Sequence, residues 1–473
     1  MSQLIASDYK RLIVGMGATG LSCARFLSSA AISFDMWDTR TELKNQQDIR
    51  AEFADSELIL GELDGERLSA YDELIVSPGI AIAEPAIQQA TQNGTRIRGD
   101  VDVFAEYVNR NNQDETCYKP VIAVTGSNGK STVVTLVGEI LAAQGKKPAV
   151  CGNIGLPVLD VLREEEKYDC YVVELSSFQL ETTHHLAADA ACVLNLSEDH
   201  MDRYANMMAY HQAKHRIFQG CRSVVVNRDD TLTQPLVSDA MPTISFGQHA
   251  SDNAQGRKKQ FALRVQDGQE YIGYEEQLLL ATSEMKIKGR HNALNAMAAM
   301  ALVASIKSPG FAIQPVDMLG AIKEFGGLPH RCAWVGEVNG ISYYNDSKGT
   351  NVGSTLAAID GLGSANKNIV LIAGGVGKDQ DFEPLNDSCA QFVKQLVLFG
   401  RDRELIAAAW PSQSGKIDQV DTLRKALNCA NEKASAGDIV LFSPACASFD
   451  QFENYVQRGL VFEQLVAELQ EGV

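Results

Sequence analysis

The stretch Val121-Ile122-Ala123-Val124-Thr125-Gly126-Ser127-Asn128-Gly129-Lys130-Ser131-Thr132 decides the reading of this chain. An apolar run suited to a strand leads into two glycines, then a lysine followed by two hydroxyls. A strand feeding a glycine turn aims backbone N–H groups at phosphate oxygens, with a helix N-terminus behind them. Lys130 then reaches the β- and γ-phosphates of a nucleotide, and the hydroxyl of Ser131 or Thr132 joins Mg2+. The full phosphate-loop pattern has glycine five residues before Gly129, where this chain has Val124, so Gly-x-x-Gly-Lys-Ser remains. A plain strand-to-helix turn is the other reading, but lysine and two hydroxyls have little structural purpose at a helix start.

The phrase of strand, glycine turn and helix occurs twice more. Arg11 to Gly15 precedes Met16-Gly17-Ala18-Thr19-Gly20 and a helix from Leu21 to Ser29; Ile369 to Ala373 precedes Gly374-Gly375-Val376-Gly377-Lys378. Short β-rich runs alternating with amphipathic helices predict parallel α/β sheets in each domain. The 473 residues predict about three domains. Asn109 to Glu115 reads as loop or linker, and a boundary falls near Gly99, before a helix from Val101 to Tyr107. Gly326-Gly327-Leu328-Pro329-His330-Arg331 breaks a helical pattern and marks the second boundary. The domains are therefore 1–99, 100–327 and 328–473. Gln248 to Gln260 reads as an exposed loop between strands, and alanine-rich Ala293 to Ile306 as a packed helix.

A net charge of -18 with no Lys/Arg-rich run argues against a nucleic-acid partner. Small anions remain open to local loops and helix N-termini. The ten cysteines form no CxxC pair and no zinc spacing, so they read as reduced buried thiols of a cytosolic protein. Met1 to Lys10 lacks the pattern of a signal peptide, and no apolar run approaches the ~20 residues of a membrane span.

Other strand ends carry polar groups. Tyr168 to Glu174 is an apolar strand ending in an acid, so Glu174 reads as a Mg2+ ligand or a solvated strand-end carboxylate. The run Ser176-Ser177-Phe178-Gln179 suits substrate positioning. Ala191 to Leu196 ends in Ser197-Glu198-Asp199-His200, which puts His200 where open α/β sheets bind ligands. Alone it is ambiguous; beside the phosphate loop it reads as a metal or substrate residue. Lys214, on a helix from Met207 to Phe218, reads from sequence alone as solvated. Gly15 to Gly20 matches the dinucleotide fingerprint, with Asp38 at the end of a strand from Ile32 to Trp37. That fits NAD, or a base or ribose held by Asp38-Thr39-Arg40, with Ser77-Pro78-Gly79 on the same edge. Asp346-Ser347-Lys348-Gly349-Thr350-Asn351, Gly374 to Lys378 and Ser443 to Asp450 are turns and caps, or one functional edge facing the phosphate loop.

These residues, with Gly152-Asn153-Ile154-Gly155, Gly289-Arg290-His291-Asn292 and Leu328-Pro329-His330-Arg331, occur in an order that resembles the Mur ligases over almost the whole chain. The resemblance implies a Rossmann-like first domain, a P-loop ATPase-like central domain and a Rossmann-like C-terminal domain. The phrases Glu174-Leu175-Ser176-Ser177-Phe178-Gln179 and Glu198 to Tyr204 resemble the branch that adds D-glutamate to UDP-N-acetylmuramoyl-L-alanine, using ATP through an acyl-phosphate. It implies UDP contacts at Gly17, Ala18, Thr19, Asp38, Thr39, Arg40, Ser77 and Gly79, which displaces the NAD reading. Asn153, Ser176 and Gln179 then approach the muramoyl part. Ser131, Glu174 and His200 surround two Mg2+ ions, with Lys214 as a CO2-derived carbamate. Asn292, Asn295, Arg331 and Asp346 contact ATP. Lys348, Thr350, Lys378, Ser448 and Tyr455 border the D-glutamate site together with His200. Two positions depart from the pattern: Val376 stands where an acid is expected, and Tyr455 where phenylalanine is expected.

Overall fold

The computed structural model describes residues 9–238, 240–250, 259–364, 366–410 and 416–471. Residues 1–8, which belong to the segment read as lacking a signal peptide, lie outside it, as do 251–258 of the expected exposed loop.

The first sheet holds β1 (Arg11–Val14), β2 (Asp35–Asp38), β3 (Leu58–Leu60), β4 (Glu73–Val76) and β5 (Arg96–Arg98), all parallel, in the order β3-β2-β1-β4-β5. The second holds β6 (Val121–Thr125), β7 (Pro148–Gly152), β8 (Cys170–Glu174), β9 (Ala190–Val193), β10 (Val224–Asn227), β11 (Thr243–Gly247), β12 (Lys259–Gln266), β13 (Gln269–Tyr274) and β14 (Gln277–Ala281). Its order is β14-β13-β12-β11-β10-β9-β6-β8-β7. The third holds β15 (Ala333–Val338), β16 (Ile341–Asn345), β17 (Ile369–Gly374), β18 (Val393–Phe399), β19 (Lys416–Gln419) and β20 (Ile439–Phe442), ordered β15-β16-β20-β17-β18-β19.

Each sheet has the inner parallel strands that the β-rich runs predicted. β6 and β8 are buried at every residue, as strands covered on both faces must be. The alanine-rich helix Arg290–Ser305 packs against the phosphate-loop helix Lys130–Ala143 and is buried on nearly all sides beyond its first turn.

The first sheet is purely parallel, as expected, but the second and third are mixed. β12, β13 and β14 pair antiparallel, as do β15 and β16. Asp267-Gly268 and Asn339-Gly340 form two of the three tight turns, with all four residues at positive φ; Glu275-Glu276 forms the third. Asp-Gly and Asn-Gly favour such hairpin turns, because their twist matches that of the strands they join. The expected loop also yields Lys259 and Gln260 to β12. The helix read as Val101 to Tyr107 runs Asp100–Asn111 and takes in part of the expected linker. The third glycine loop has no helix directly behind it: Lys378 and Asp379 turn through positive φ, and the next α-helix is Asn386–Phe392.

In all three sheets the loops of interest lie at the carboxyl ends of inner strands, where the strand order reverses. In the first, Gly20 makes this geometry possible: a Cβ there would stand 1.9 Å from the Gly15 carbonyl oxygen. Gly20→Ala is expected to cost about 1–3 kcal/mol through overpacking of the glycine turn, read by urea unfolding. An unchanged midpoint and slope would contradict this close approach.

Candidate active site

Four strand ends of the central sheet and three of the C-terminal sheet enclose one cavity of about 390 Å³. Gly126 and Gly129 both have positive φ, and Gly129 caps the helix Lys130–Ala143. Lys130 Nζ donates to the Gly126 and Ser127 carbonyls, each at 2.8 Å, and so lies across the mouth of its own loop. Asn128 is clamped by Asn195, which accepts from its N–H at 2.8 Å and donates to its carbonyl at 3.0 Å. Thr132 lies in the first turn of the same helix, and Asn295 packs against Gly129 with Asn292 in hydrogen-bond reach of it.

Glu174, at the end of β8, is almost fully buried. Its carboxylate accepts from Ser131 Oγ at 2.6 Å and from Asn153 Nδ2 at 2.8 Å. Arg331, from the C-terminal part of the chain, donates to the same Ser131 hydroxyl at 2.6 Å. Among the described residues no three His, Cys, Asp or Glu side chains form a metal cage. One carboxylate beside one hydroxyl is nevertheless a hard oxygen donor pair, and Mg2+ commonly takes one or two carboxylates with substrate phosphates and water.

Lys214 overturns its reading as solvated. It is 2% exposed, and its Nζ donates to the Gly126 carbonyl at 2.9 Å and to Thr125 Oγ1 at 3.3 Å. Burial, followed by the neighbouring Lys130 charge, pushes its pKa well below the ordinary lysine value. Tyr210, one helical turn earlier, places its ring 4.8 Å from that Nζ and its hydroxyl 3.1 Å from Ser127 Oγ. The i, i+4 spacing puts Tyr210 and Lys214 on one face of their helix.

His200 turns through a left-handed φ of 61° and packs edge-on against Phe178, ring centres 4.7 Å apart. Burial pushes its pKa down to about 4. Asp199 lies 3.6 Å from His200 Nε2 and joins two parts of the chain: Lys378 pairs with it, and Asn351 donates to it at 3.1 Å. Asp346 is buried and accepts from Ser443 at 2.6 Å and from the Cys332 N–H; burial pushes its pKa up to about 7. Lys348 lies 4.4 Å from the Tyr455 ring centre, and burial, then Arg331, pushes its pKa down to about 8. Thr350 and Ser448 line the same wall. Val376, where an acid was expected, exchanges backbone hydrogen bonds with Ala447, a contact that needs no particular side chain.

Five cationic side chains and three carboxylates line this cavity, so an anion is attracted in spite of the net charge of -18. Ser176 lines it as well, whereas Gln179 is buried outside it. The two residues form a capping box on the short helix Ser177–Glu181.

The first-domain residues also lie outside the cavity. Gly17, Ala18 and Thr19 open the helix after β1, Asp38, Thr39 and Arg40 follow on β2, and Ser77 and Gly79 follow β4. Asp38 accepts from the Met16 N–H at 2.7 Å and from Arg40 Nε and Nη2, both at 2.8 Å. Ser77 Oγ donates to the Gly15 carbonyl at 2.7 Å. These bonds draw three strand-end loops into one surface.

A three-domain α/β chain whose phosphate loop faces Arg331, Lys348 and Lys378 of the C-terminal domain has the architecture of a nucleotide-dependent ligase. The Mur ligase middle domain matches residues 124–303, the Mur ligase MurD-like N-terminal domain residues 9–99, and the Mur ligase glutamate ligase domain residues 330–446. The chain belongs to the Mur ligase family. It is 48% identical to the UDP-N-acetylmuramoylalanine--D-glutamate ligase of Pseudomonas aeruginosa, over 98% of this chain and 99% of the relative. The enzyme of the same name from Marinobacter nauticus is 46% identical over the same shares. Among solved structures, the UDP-N-acetylmuramate-alanine ligase of Thermotoga maritima aligns at a TM-score of 0.57 and 20% identity, over 98% of this chain and 100% of that one. A pseudomurein peptide ligase of Methanothermus fervidus aligns at 0.59 and 15%, over the same shares. These two likenesses concern the fold.

Asp38 gives a test by pH. The side-chain hydrogen bond from Arg40 is the largest influence on its carboxyl, burial opposes it, and the pKa is held at about 2. Its folded pKa lies below the ordinary carboxylate value, so its stabilisation is present above about pH 4 and is lost as pH falls through about 2. Calorimetric melting across that window is expected to show a steeper loss for the native chain than for Asp38→Asn. Parallel profiles would contradict this.

Proposed function

We propose that this chain is an ATP-dependent amide ligase that joins D-glutamate to UDP-N-acetylmuramoyl-L-alanine, with an acyl-phosphate intermediate and ADP and phosphate as products. Residues 1–99 bind the UDP part, 100–327 the ATP, and 328–473 the amino acid together with part of the ATP. The work is that of peptidoglycan precursor synthesis in the cytoplasm, and both substrates are small molecules. No helix among the described residues is long and apolar enough to cross a membrane. The observation that carries the reading is the Ser131 hydroxyl held between Glu174 and Arg331, which brings the phosphate loop and the C-terminal domain to one point.

The chemistry follows from the cavity. A carboxylate is a poor electrophile, so the acceptor carboxylate takes the γ-phosphoryl group first, and the amine then displaces phosphate through a tetrahedral intermediate. Gly126, Ser127, Asn128 and Gly129 cradle the phosphates, and Lys130, Arg331 and Lys348 balance the charge that develops. Asn292, Asn295 and Asp346 orient the nucleotide. Ser131, Glu174 and His200 are the residues that would hold Mg2+, which when bound screens the phosphate oxygens from the incoming carboxylate. Asn153 and Ser176 border the muramoyl part, with Gln179 buttressing Ser176. Lys378, Thr350, Ser448 and Tyr455 border the D-glutamate. Burial keeps His200 neutral at physiological pH, the form in which an imidazole can coordinate a metal.

Lys214 suits carbamylation. Carbamate formation needs the free amine, which burial and the nearby Lys130 charge favour. The product exchanges a buried cation for an anion beside the phosphate loop.

Phosphate release with the acceptor, MgATP and one of D-glutamate, L-glutamate, L-lysine or meso-diaminopimelate tests the assignment. Release with D-glutamate alone is expected; release with another amino acid would reassign the specificity, and none at all from folded protein would remove the ligase reading. In the same assay Lys130→Ala is expected to lose at least about a hundredfold in turnover, and a loss below about threefold would remove it from the phosphate site. For Lys214, 13C NMR in 13C-bicarbonate is expected to show a carbamate carbon that is missing from Lys214→Ala. Identical spectra would contradict the modification.

A further inference from the structure

Arg203 lies outside the cavity, yet it joins the two substrate-binding regions. Its Nη1 donates to the Pro78 carbonyl at 3.0 Å and its Nη2 to the Ile80 carbonyl at 3.2 Å. Both acceptors belong to the turn after β4, on the first-domain surface. That turn is tied to the glycine loop through Ser77 Oγ and Gly15, and a Cβ at Gly15 would stand 3.0 Å from both Ser77 Cβ and Ile80 Cδ1. A shift of either loop therefore moves the other.

The other side of Arg203 packs on Phe178, which lines the cavity. Its guanidinium carbon lies 4.0 Å from the centre of the Phe178 ring, which packs edge-on against His200 at 4.7 Å. Its Nη2 also reaches Glu181 at 3.1 Å, on the helix that carries Phe178. Its backbone closes the His200 turn: the His200 carbonyl accepts from the Arg203 N–H at 2.9 Å and from the Tyr204 N–H at 3.0 Å. One residue thus fixes the His200 turn by its backbone, the Phe178 ring by its planar face and the first-domain turn by its fork. Arginine alone combines a stacking face with several divergent donors; lysine offers a point charge.

We infer that Arg203 is a positioning residue: a strut that carries the seating of the UDP end of the acceptor, through Pro78 and Ile80, to Phe178 and the His200 turn. This rests on the proposed ligase reading. Binding energy gained far from the reacting carboxylate then sets geometry at the cavity, so that a truncated acceptor loses turnover as well as affinity.

The test compares the intact acceptor with its 1-phospho form, which lacks the uridine monophosphate, in the native enzyme and in Arg203→Met. Native turnover of the intact acceptor with D-glutamate is the control; its absence counts against the ligase reading and is a separate result. Arg203→Met is expected to lower kcat at least about tenfold, with KM for MgATP and D-glutamate unchanged within about twofold. Truncation is expected to lower kcat in the native enzyme and to cost Arg203→Met nothing further. Equal truncation penalties in the two enzymes, or a variant that raises only the acceptor KM, overturn the strut. Should Arg203→Met fail to fold, Phe178→Leu removes the middle link and is expected to abolish the truncation penalty in the same way; a full penalty there overturns the proposal. A second readout needs no turnover. Free UDP is expected to slow amide hydrogen exchange across residues 198–206 in the native chain and not in Arg203→Met, and equal slowing in both overturns the strut.

Discussion

The Ser131 hydroxyl cannot take its place unless two distant parts of the chain arrive together. Glu174 accepts its proton from one side and Arg331 donates to its oxygen from the other, across 200 positions of sequence for the second contact. A buried carboxylate needs hydrogen bonds to offset its lost hydration, and Ser131 and Asn153 donate them to Glu174. The phosphate loop, the end of β8 and the C-terminal domain are therefore fixed by one small polar network. Removing any member leaves a buried polar group without its partner, which is costly.

Around that network the cavity is unusual in its charges. Lys130, Lys214 and Lys348 are all pushed down from the ordinary lysine value, with burial as the first cause. Cations crowded in a dry site bind phosphate and carboxylate strongly because water does not compete there. Three carboxylates limit the repulsion among them, and Asp199 also ties the central loop to Lys378 and Asn351. Attraction of anionic substrates and closure of the two domains on each other are thus two effects of the same groups.

Much of this was legible. Val121 to Thr132 could be read as strand, loop and helix because the apolar period, the glycines and the lysine agree. Glu174 and His200 could be placed at strand ends for the same reason. Lys214 could not, since helical position alone does not say which face is buried; only the family resemblance singled it out. Arg331 and Asp346 gained their meaning from contacts with no local signal. The antiparallel hairpins were legible in Asp267-Gly268 and Asn339-Gly340, yet the alternation of strands and helices elsewhere outweighed those turns. Gln179 shows the converse, a polar residue in a functional phrase whose side chain completes a helix cap.

In the proposed reaction the acceptor carboxylate itself attacks the γ-phosphate held over Lys130 and Ser131. An acceptor carrying 18O in both oxygens of that carboxylate tests this directly, with the released phosphate analysed by mass spectrometry after a single turnover with ATP and D-glutamate. One 18O atom is expected in each phosphate released. Phosphate free of 18O, from enzyme that has formed the amide, would contradict it.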